Sequence, residues 1–403
     1  MDRRTWVPCM PLPCPTALSE KVKFRQVSCG AYHTIAVSED GDVYACGLVT
    51  RGRLGLTEEQ ARQSMKAAEA FRPKAADGKP LINLYELVKV PLPMELQGPN
   101  RVVNSAHCGY DYTLLLTMTG QVLSAGNGQH GIHCNFQETP QMESSPSGGE
   151  QRQGGGLLHD TQKSLQDEAR AHDRHQFALI PLDFFGGHIV TFLSAGERHA
   201  AIINMNGELW TWGLNSHGQC GVKIENNPYA PDHLSMPVQP LLVNDIDQKA
   251  TLVACGGKHT LAITSENGVF AWGSNSYGQL GLSLDELESF DTPREVYYFK
   301  EKIVSWLSAG SNHSLALTIE GYAYLWGKND HGQLGLSQQL AVKSDSRMLC
   351  PKVLETVLGV GIAQASCNFN QTFLGCADKL KNKPDSDVFN TWKTKLKKHE
   401  ERQ

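Results

Sequence analysis

Short apolar or alternating runs, closed by glycine, asparagine or serine, recur along the chain, as in HTLAIT at His259–Thr264 and GVFAWG at Gly268–Gly273. Runs of this length between turn-forming residues read as β-strands joined by tight turns. The runs are themselves periodic. QVSCGAYHTIAV at Gln26–Val37 returns as HCGYDYTLLL from His107, SAGERHAAII from Ser194, ACGGKHTLAI from Ala254, SAGSNHSLAL from Ser308 and QASCNFNQTFL from Gln364. With His33 as marker, the equivalent positions are Tyr112, His199, His259, His313 and Gln371. The last three intervals set the period; the first two carry extra chain.

A second half follows five of the six copies, best preserved as GVFAWGSNSYGQLGL from Gly268 and GYAYLWGKNDHGQLGL from Gly321. Four short strands per unit make a small sheet that cannot bury both faces alone. The units must therefore stack around an axis, which predicts an all-β propeller over residues 21–376, after an N-terminal extension at 1–20. Gly30, Gly109, Gly196, Gly256 and Gly310 fit a position with positive φ or close approach of a neighbouring chain, and Gly47, Gly126, Gly213, Gly273 and Gly327 end a strand. Trp212, Trp272 and Trp326 are expected as packing residues between blades.

GSNSYGQLGL and GKNDHGQLGL, with a preceding G-x-x-H-[TS], resemble the repeat of the regulator of chromosome condensation family over roughly residues 20–376. That resemblance implies a propeller of usually seven four-stranded antiparallel blades. Six first halves and five second halves leave the expectation at six to seven, with closure made by an incomplete blade, a partner strand or the tail.

The resemblance also implies candidate functions. The founding activity is nucleotide exchange on the small GTPase Ran, with acidic residues just before the repeat histidine. The matching positions here are Tyr32, Asp111, Arg198, Lys258, Asn312 and Asn370, of which one is acidic and two are basic. An exchange factor needs negative groups to act on a phosphate loop and its metal, so this face suits that task poorly. The ultraviolet-sensing arrangement G-W-R-H-T has no counterpart, because the positions after the repeat glycine are Ala31, Tyr110, Glu197, Gly257, Ser311 and Phe369. No stretch is left over for an attached ubiquitin-ligase or lipid-binding domain.

The equivalent histidines His33, His199, His259 and His313 lie whole blades apart, too far for one metal ion, and are expected to bond their local turns. His130, His133 and Cys134 are close in sequence but lack a fourth ligand. No phosphate-binding loop, nucleophile elbow, HExxH or Cys-x-x-Cys motif occurs, so neither a metal, a cofactor nor a catalytic residue is expected. Against 42 Asp and Glu stand 37 Lys and Arg, a net charge of −5 that gives no general attraction to nucleic acid. The absence of a long apolar stretch or secretory start reads as a soluble intracellular chain, cytoplasmic, organelle-associated or nuclear. Most of the 11 cysteines read as small buried residues in a reducing compartment.

Two insertions, about 57–100 and 134–178, interrupt the propeller. Thr57 with Gln60 forms a capping box ahead of an Ala- and Glu-rich helix. The second insertion, rich in Ser, Gly and charge, is expected to be disordered, with a helix near 161–171. The basic tail at 377–403 places Val388, Trp392 and Leu396 at helical spacing and reads as an amphipathic helix. The favoured function is a non-catalytic interaction scaffold or accessory subunit of a larger protein assembly. It would bind through Tyr32, Asp111, Arg198, Lys258, Asn312 and Asn370, with Trp392 and Leu396 of the tail. A guanine nucleotide exchange factor for Ran or a related GTPase is the second reading, and a chromatin-associated propeller the third.

Overall fold

The computed structural model describes residues 22–64, 83–134, 173–223, 237–282, 287–336, 347–358, 360 and 362–376. Their strands form five four-stranded antiparallel meanders and one two-stranded sheet. Blade 1 holds β1 (Phe24–Cys29), β2 (His33–Ser38), β3 (Val43–Leu48) and β4 (Asn83–Lys89). Blade 2 holds β5 (Val103–Cys108), β6 (Tyr112–Thr117), β7 (Val122–Gly126) and β8 (Arg174–Ile180). Blade 3 holds β9 (Val190–Ala195), β10 (His199–Asn204), β11 (Leu209–Leu214) and β12 (Pro237–Leu242). Blade 4 comprises β13 (Ala250–Cys255), β14 (His259–Thr264), β15 (Val269–Gly273) and β16 (Phe290–Glu295). Blade 5 comprises β17 (Val304–Ala309), β18 (His313–Thr318), β19 (Ala323–Lys328) and β20 (Arg347–Val353). Blade 6 has β21 (Ile362–Asn368) and β22 (Gln371–Cys376).

The first strands of all six sheets line one axial cavity of about 520 Å³, so the sheets surround a common axis. The last blade meets the first where Asn368 Nδ2 donates to the Cys29 carbonyl at 2.8 Å. Among the described residues the ring therefore has six blades.

The repeat residues explain how the blades adhere. The serine two places before the repeat glycine accepts from the next blade: Cys108 N–H donates to Ser28 Oγ at 3.0 Å, Cys255 N–H to Ser194 at 3.0 Å and Cys367 N–H to Ser308 at 2.7 Å. Gly30 lies in this seam because a Cβ there would sit 2.6 Å from the Gly109 carbonyl oxygen and 2.2 Å from His33 Cε1. Close approach, not positive φ, is its reason. The strand-ending glycines are the opposite case, with φ between +99° at Gly327 and +111° at Gly47.

The histidines depart from the expectation of a local turn bond. His33 Nε2 lies 2.9 Å from Thr113 Oγ1 of the next blade, His199 and His259 lie 2.9 Å from Thr260 and Ser314, and His313 lies 3.0 Å from Thr372. Each hydroxyl in turn donates to a backbone carbonyl of the histidine's own blade, at Arg53, Gln219, Gln279 and Gln333, between 2.7 and 2.8 Å. An oxygen already donating must accept from the ring, so the ring carries its proton on Nε2. Tyr112 replaces the histidine in blade 2 and also reaches across, its hydroxyl 2.8 Å from the carbonyls of Gly196 and His199.

Trp212, Trp272 and Trp326 are fully buried between blades. Their indole N–H groups donate to the preceding blade at Ile132, Gln219 and Gln279. The stretch 57–100 contains both added chain and blade: α1 (Glu58–Ser64) is followed by β4, the outer strand of blade 1. The capping box is formed, with Thr57 N–H donating to Gln60 Oε1 at 2.9 Å and Gln60 N–H to Thr57 Oγ1 at 3.2 Å. β8 likewise occupies the end of the 134–178 stretch. The helix expected near 161–171, the tail, Trp392 and Leu396 lie outside the described residues.

Candidate functional site

One face of the ring collects the variable parts of every blade. The turn from first to second strand opens on it, and the pairing of His33 with Gly47, Tyr112 with Gly126, His199 with Gly213, His259 with Gly273 and His313 with Gly327 ends each third strand there too. The long connections from third to fourth strand, α1 included, therefore leave from the same face. The opposite face carries only tight turns and short 3₁₀ segments among the described residues.

Tyr32, Asp111, Arg198, Lys258, Asn312 and Asn370 all lie in these turns, one per blade. Tyr32, Arg198, Lys258 and Asn370 are exposed, while Asp111 and Asn312 are partly covered. Backbone bonds between turns hold them in order. Ala31 N–H donates to Tyr110 O at 3.2 Å, Tyr110 to Glu197 at 3.0 Å, Glu197 to Gly256 at 3.1 Å, Gly257 to Gly310 at 3.1 Å and Ser311 to Phe369 at 2.8 Å. The residues after the repeat glycine thus converge around the axis.

Two of them, Tyr110 and Phe369, build a cluster with the sequence-selected Tyr32. The Tyr110 ring meets Tyr32 edge-on at 5.8 Å and Phe369 at 6.1 Å. The hydroxyls of Tyr32 and Tyr110 are 3.3 Å apart. Two guanidinium groups cover the rings: Arg53 lies 5.6 Å from the centre of Tyr32 and Arg198 lies 5.7 Å from that of Tyr110. Cations at this range gain from the ring quadrupole, the more so where water is excluded. Tyr110 and Phe369 had a signal in their shared repeat position, and Arg53 stands where Gln279 and Gln333 stand in theirs, but nothing in the period shows that Arg51 and Arg53 reach the next turns.

Asp111 is engaged within the chain. Arg51 Nη1 lies 3.4 Å from its carboxylate, and Asn127 Nδ2 donates to it at 3.0 Å. Across the axis Ser311 donates to Glu197. Lys258 Nζ is 3.4 Å from His217 Nε2, and burial, then Lys258, hold that imidazole below its ordinary range. Asp111 aside, the sequence-selected turn positions thus leave two exposed cations, Arg198 and Lys258.

The remaining chemistry-bearing groups are structural. His133 Nε2 bonds the Gly126 carbonyl at 2.8 Å, which commits one candidate metal ligand. Burial pushes the Cys108, Cys255 and Cys367 thiols beside the axial cavity up to about 12, so they stay protonated and poorly nucleophilic. No helix of the described residues is long and apolar enough to cross a membrane.

A family model of RCC1-like domains matches residues 10–374. The chain is 28% identical over 344 residues to the probable E3 ubiquitin-protein ligase HERC4 of Rattus norvegicus, covering 78% of this chain and 28% of that protein. It is 27% identical over 363 residues to the ultraviolet-B receptor UVR8 of Arabidopsis thaliana, covering 89% and 65%. The X-linked retinitis pigmentosa GTPase regulator of Homo sapiens is 26% identical over 385 residues, covering 85% and 32%. The chain thus spans less than two thirds of each of these relatives. Among solved structures, Prp20p of Saccharomyces cerevisiae superposes with a TM-score of 0.62 at 18% identity, covering 94% of this chain and 74% of that one. Human WBSCR16 gives 0.52 at 17% identity, covering 89% and 88%. At these identities the structural likeness speaks for the fold.

Proposed function

This chain belongs to the RCC1-like domain family, and we propose that it is a non-catalytic interaction module whose turn-bearing face holds a protein partner. The observation that carries this reading is the convergence of six inter-strand turns and the long third-to-fourth connections on one face, around an aromatic and guanidinium cluster. Rigid scaffolds commonly present recognition through such loops, and Tyr and Arg are enriched among the residues that carry interface energy. Exposed Arg198 and Lys258 favour a partner surface that presents carboxylates beside apolar groups. Tyr32, Asn312 and Asn370 extend the contact around the ring.

Exchange on a GTPase is supported less well. Prp20p is described by its binding to Gsp1p and histones, but its likeness to this chain is one of fold. The one acidic turn residue, Asp111, already bonds Arg51 and Asn127 and is not free to compete for a phosphate-loop lysine or its metal.

Affinity purification of the intact protein in mild salt, with wild type beside an Arg198→Glu/Lys258→Glu variant, tests the proposal. A stoichiometric partner is expected with wild type, and its recovery should fall roughly tenfold with the doubly reversed charge. Recovery of wild type alone as a monomer overturns the assembly reading. Accelerated release of labelled nucleotide from Ran overturns it in favour of exchange.

A further inference from the structure

On the face opposite the turn-bearing one, we propose that a strip from blade 3 to blade 5 docks a lysine- or arginine-rich segment of another protein, with apolar residues among its charges. The inference stands on other residues than the partner proposed above and does not rest on it.

The strip is built on a hydrogen bond that recurs from blade to blade. On this face the turn from second to third strand folds over the residue that precedes the first strand. Glu39 N–H donates to Lys23 O at 3.0 Å in blade 1, and Ser265 N–H to Lys249 O at 2.8 Å in blade 4. Lysine, glutamate and serine are ordinary occupants of so exposed a place. Blades 3 and 5 put apolar residues at both positions: Met205 N–H donates to Ile189 O at 2.9 Å, and Ile319 N–H to Ile303 O at 3.0 Å. Ile303 is 52% and Ile319 60% exposed, and Ile189 and Met205 are exposed as well, so these side chains do little to fill the core. The backbone does not ask for them either, since blades 1 and 4 make the same bond with polar side chains.

Acids accompany the two apolar pairs. Asp245 and Asp247 lie in the connection into blade 4, Glu266 in its turn, and Glu301 and Glu320 beside Ile303 and Ile319 in the chain. All five are exposed, and among the described residues none forms an ion pair; Glu266 accepts from the Gln248 amide at 2.9 Å. The cations of the same segments are fewer and partly engaged. Lys302 Nζ donates to the Tyr298 carbonyl at 3.0 Å and lies 4.3 Å from the centre of that ring. The Lys249 stem packs over Gly207, where a Cβ would meet Lys249 Cβ at 2.7 Å, and Lys300 is exposed. Exposed apolar groups rimmed by polar ones mark interaction surfaces, and here the sign of the rim selects the partner. Carboxylates repel nucleic acid and anionic lipid and attract ammonium and guanidinium groups. Apolar residues between the partner's cations would seat on Ile189 with Met205 and on Ile303 with Ile319. The turn-bearing face, with Arg198 and Lys258, has the opposite preference.

A labelled synthetic peptide of leucine and lysine in amphipathic order, titrated onto the full chain in mild salt and followed by fluorescence anisotropy, tests this. Wild type should bind it at one site and show slower amide exchange in residues 205–208, 265–268 and 319–322. Ile303→Ser/Ile319→Ser should weaken binding about tenfold. Glu266→Gln/Glu301→Gln/Glu320→Gln should weaken it about tenfold too and flatten its dependence on salt. Should the isoleucine variant fail to fold, Ile189→Ser/Met205→Ser reads the same loss at the other anchor. Arg198→Gln/Lys258→Gln, on the turn-bearing face, should leave the affinity within about twofold, which separates this surface from the one proposed above. No binding by wild type, equal binding of a peptide with glutamate in place of lysine, or full affinity in the isoleucine variant overturns the proposal. Tighter binding of the peptide by Lys393→Gln/Lys395→Gln/Lys397→Gln would mean that the chain's own tail holds the strip, which overturns a separate partner.

Discussion

At the residue scale the decisive side chain is the repeat histidine. Burial pushes His33, His199 and His259 down to about 3 and His313 to about 4. The folded protein keeps these rings neutral, while the unfolded chain takes up protons near pH 6.5. Between those values the unfolded state binds more protons, so stability is full above about pH 6.5 and is lost as pH falls toward about 4. Thermal unfolding followed from pH 7.5 to 5 should show a falling midpoint, and His259→Gln should flatten that slope. An equally steep slope in His259→Gln would show that other groups carry the acid sensitivity. The period of the sequence made these histidines visible as one set. It could not show that they reach across the seam, because Thr113 lies 80 residues from His33.

At the scale of elements, the five four-stranded blades are meanders whose inner strands were legible from their turns, whereas the adhesion between blades was not. Trp272 is fully buried and donates to Gln219 at 3.0 Å, so it fills the seam and fixes it. Trp272→Ala should lower unfolding free energy by about 3–5 kcal/mol, read as an earlier denaturant midpoint with an unchanged m-value. A loss below about 1 kcal/mol would mean that the seam closes over the gap. Sequence reading took 57–100 for added chain because Thr57 and Gln60 begin a helix there. β4 within it, NLYELVK, lacks the glycine and tryptophan landmarks of the inner strands, since an outer strand packs against fewer neighbours. The capping box was readable because both its members lie within one turn of chain.

At the scale of the whole molecule, closure rests on a contact between residues 339 apart, Asn368 and Cys29. In a ring of repeats each blade is stabilised chiefly by its neighbours, so a weakened seam loosens the blades beside it first. Asn368→Ala should speed amide exchange in β1 and β21 while β14, on the far side of the ring, keeps its protection; uniform acceleration would point to global destabilisation instead.

The inner strands, their turns, the residues that go inside and the family were legible in the sequence alone, because these depend on patterns that repeat within one blade; the outer strands β4 and β8 were not. The tertiary structure decided what depends on partners far apart in the chain. It set six blades among the described residues, turned the histidines from local turns toward the next blade, and brought Arg51 onto Asp111 and Arg198 over Tyr110. Those contacts join loops from different blades, whose directions are fixed only when the sheets stack around the axis.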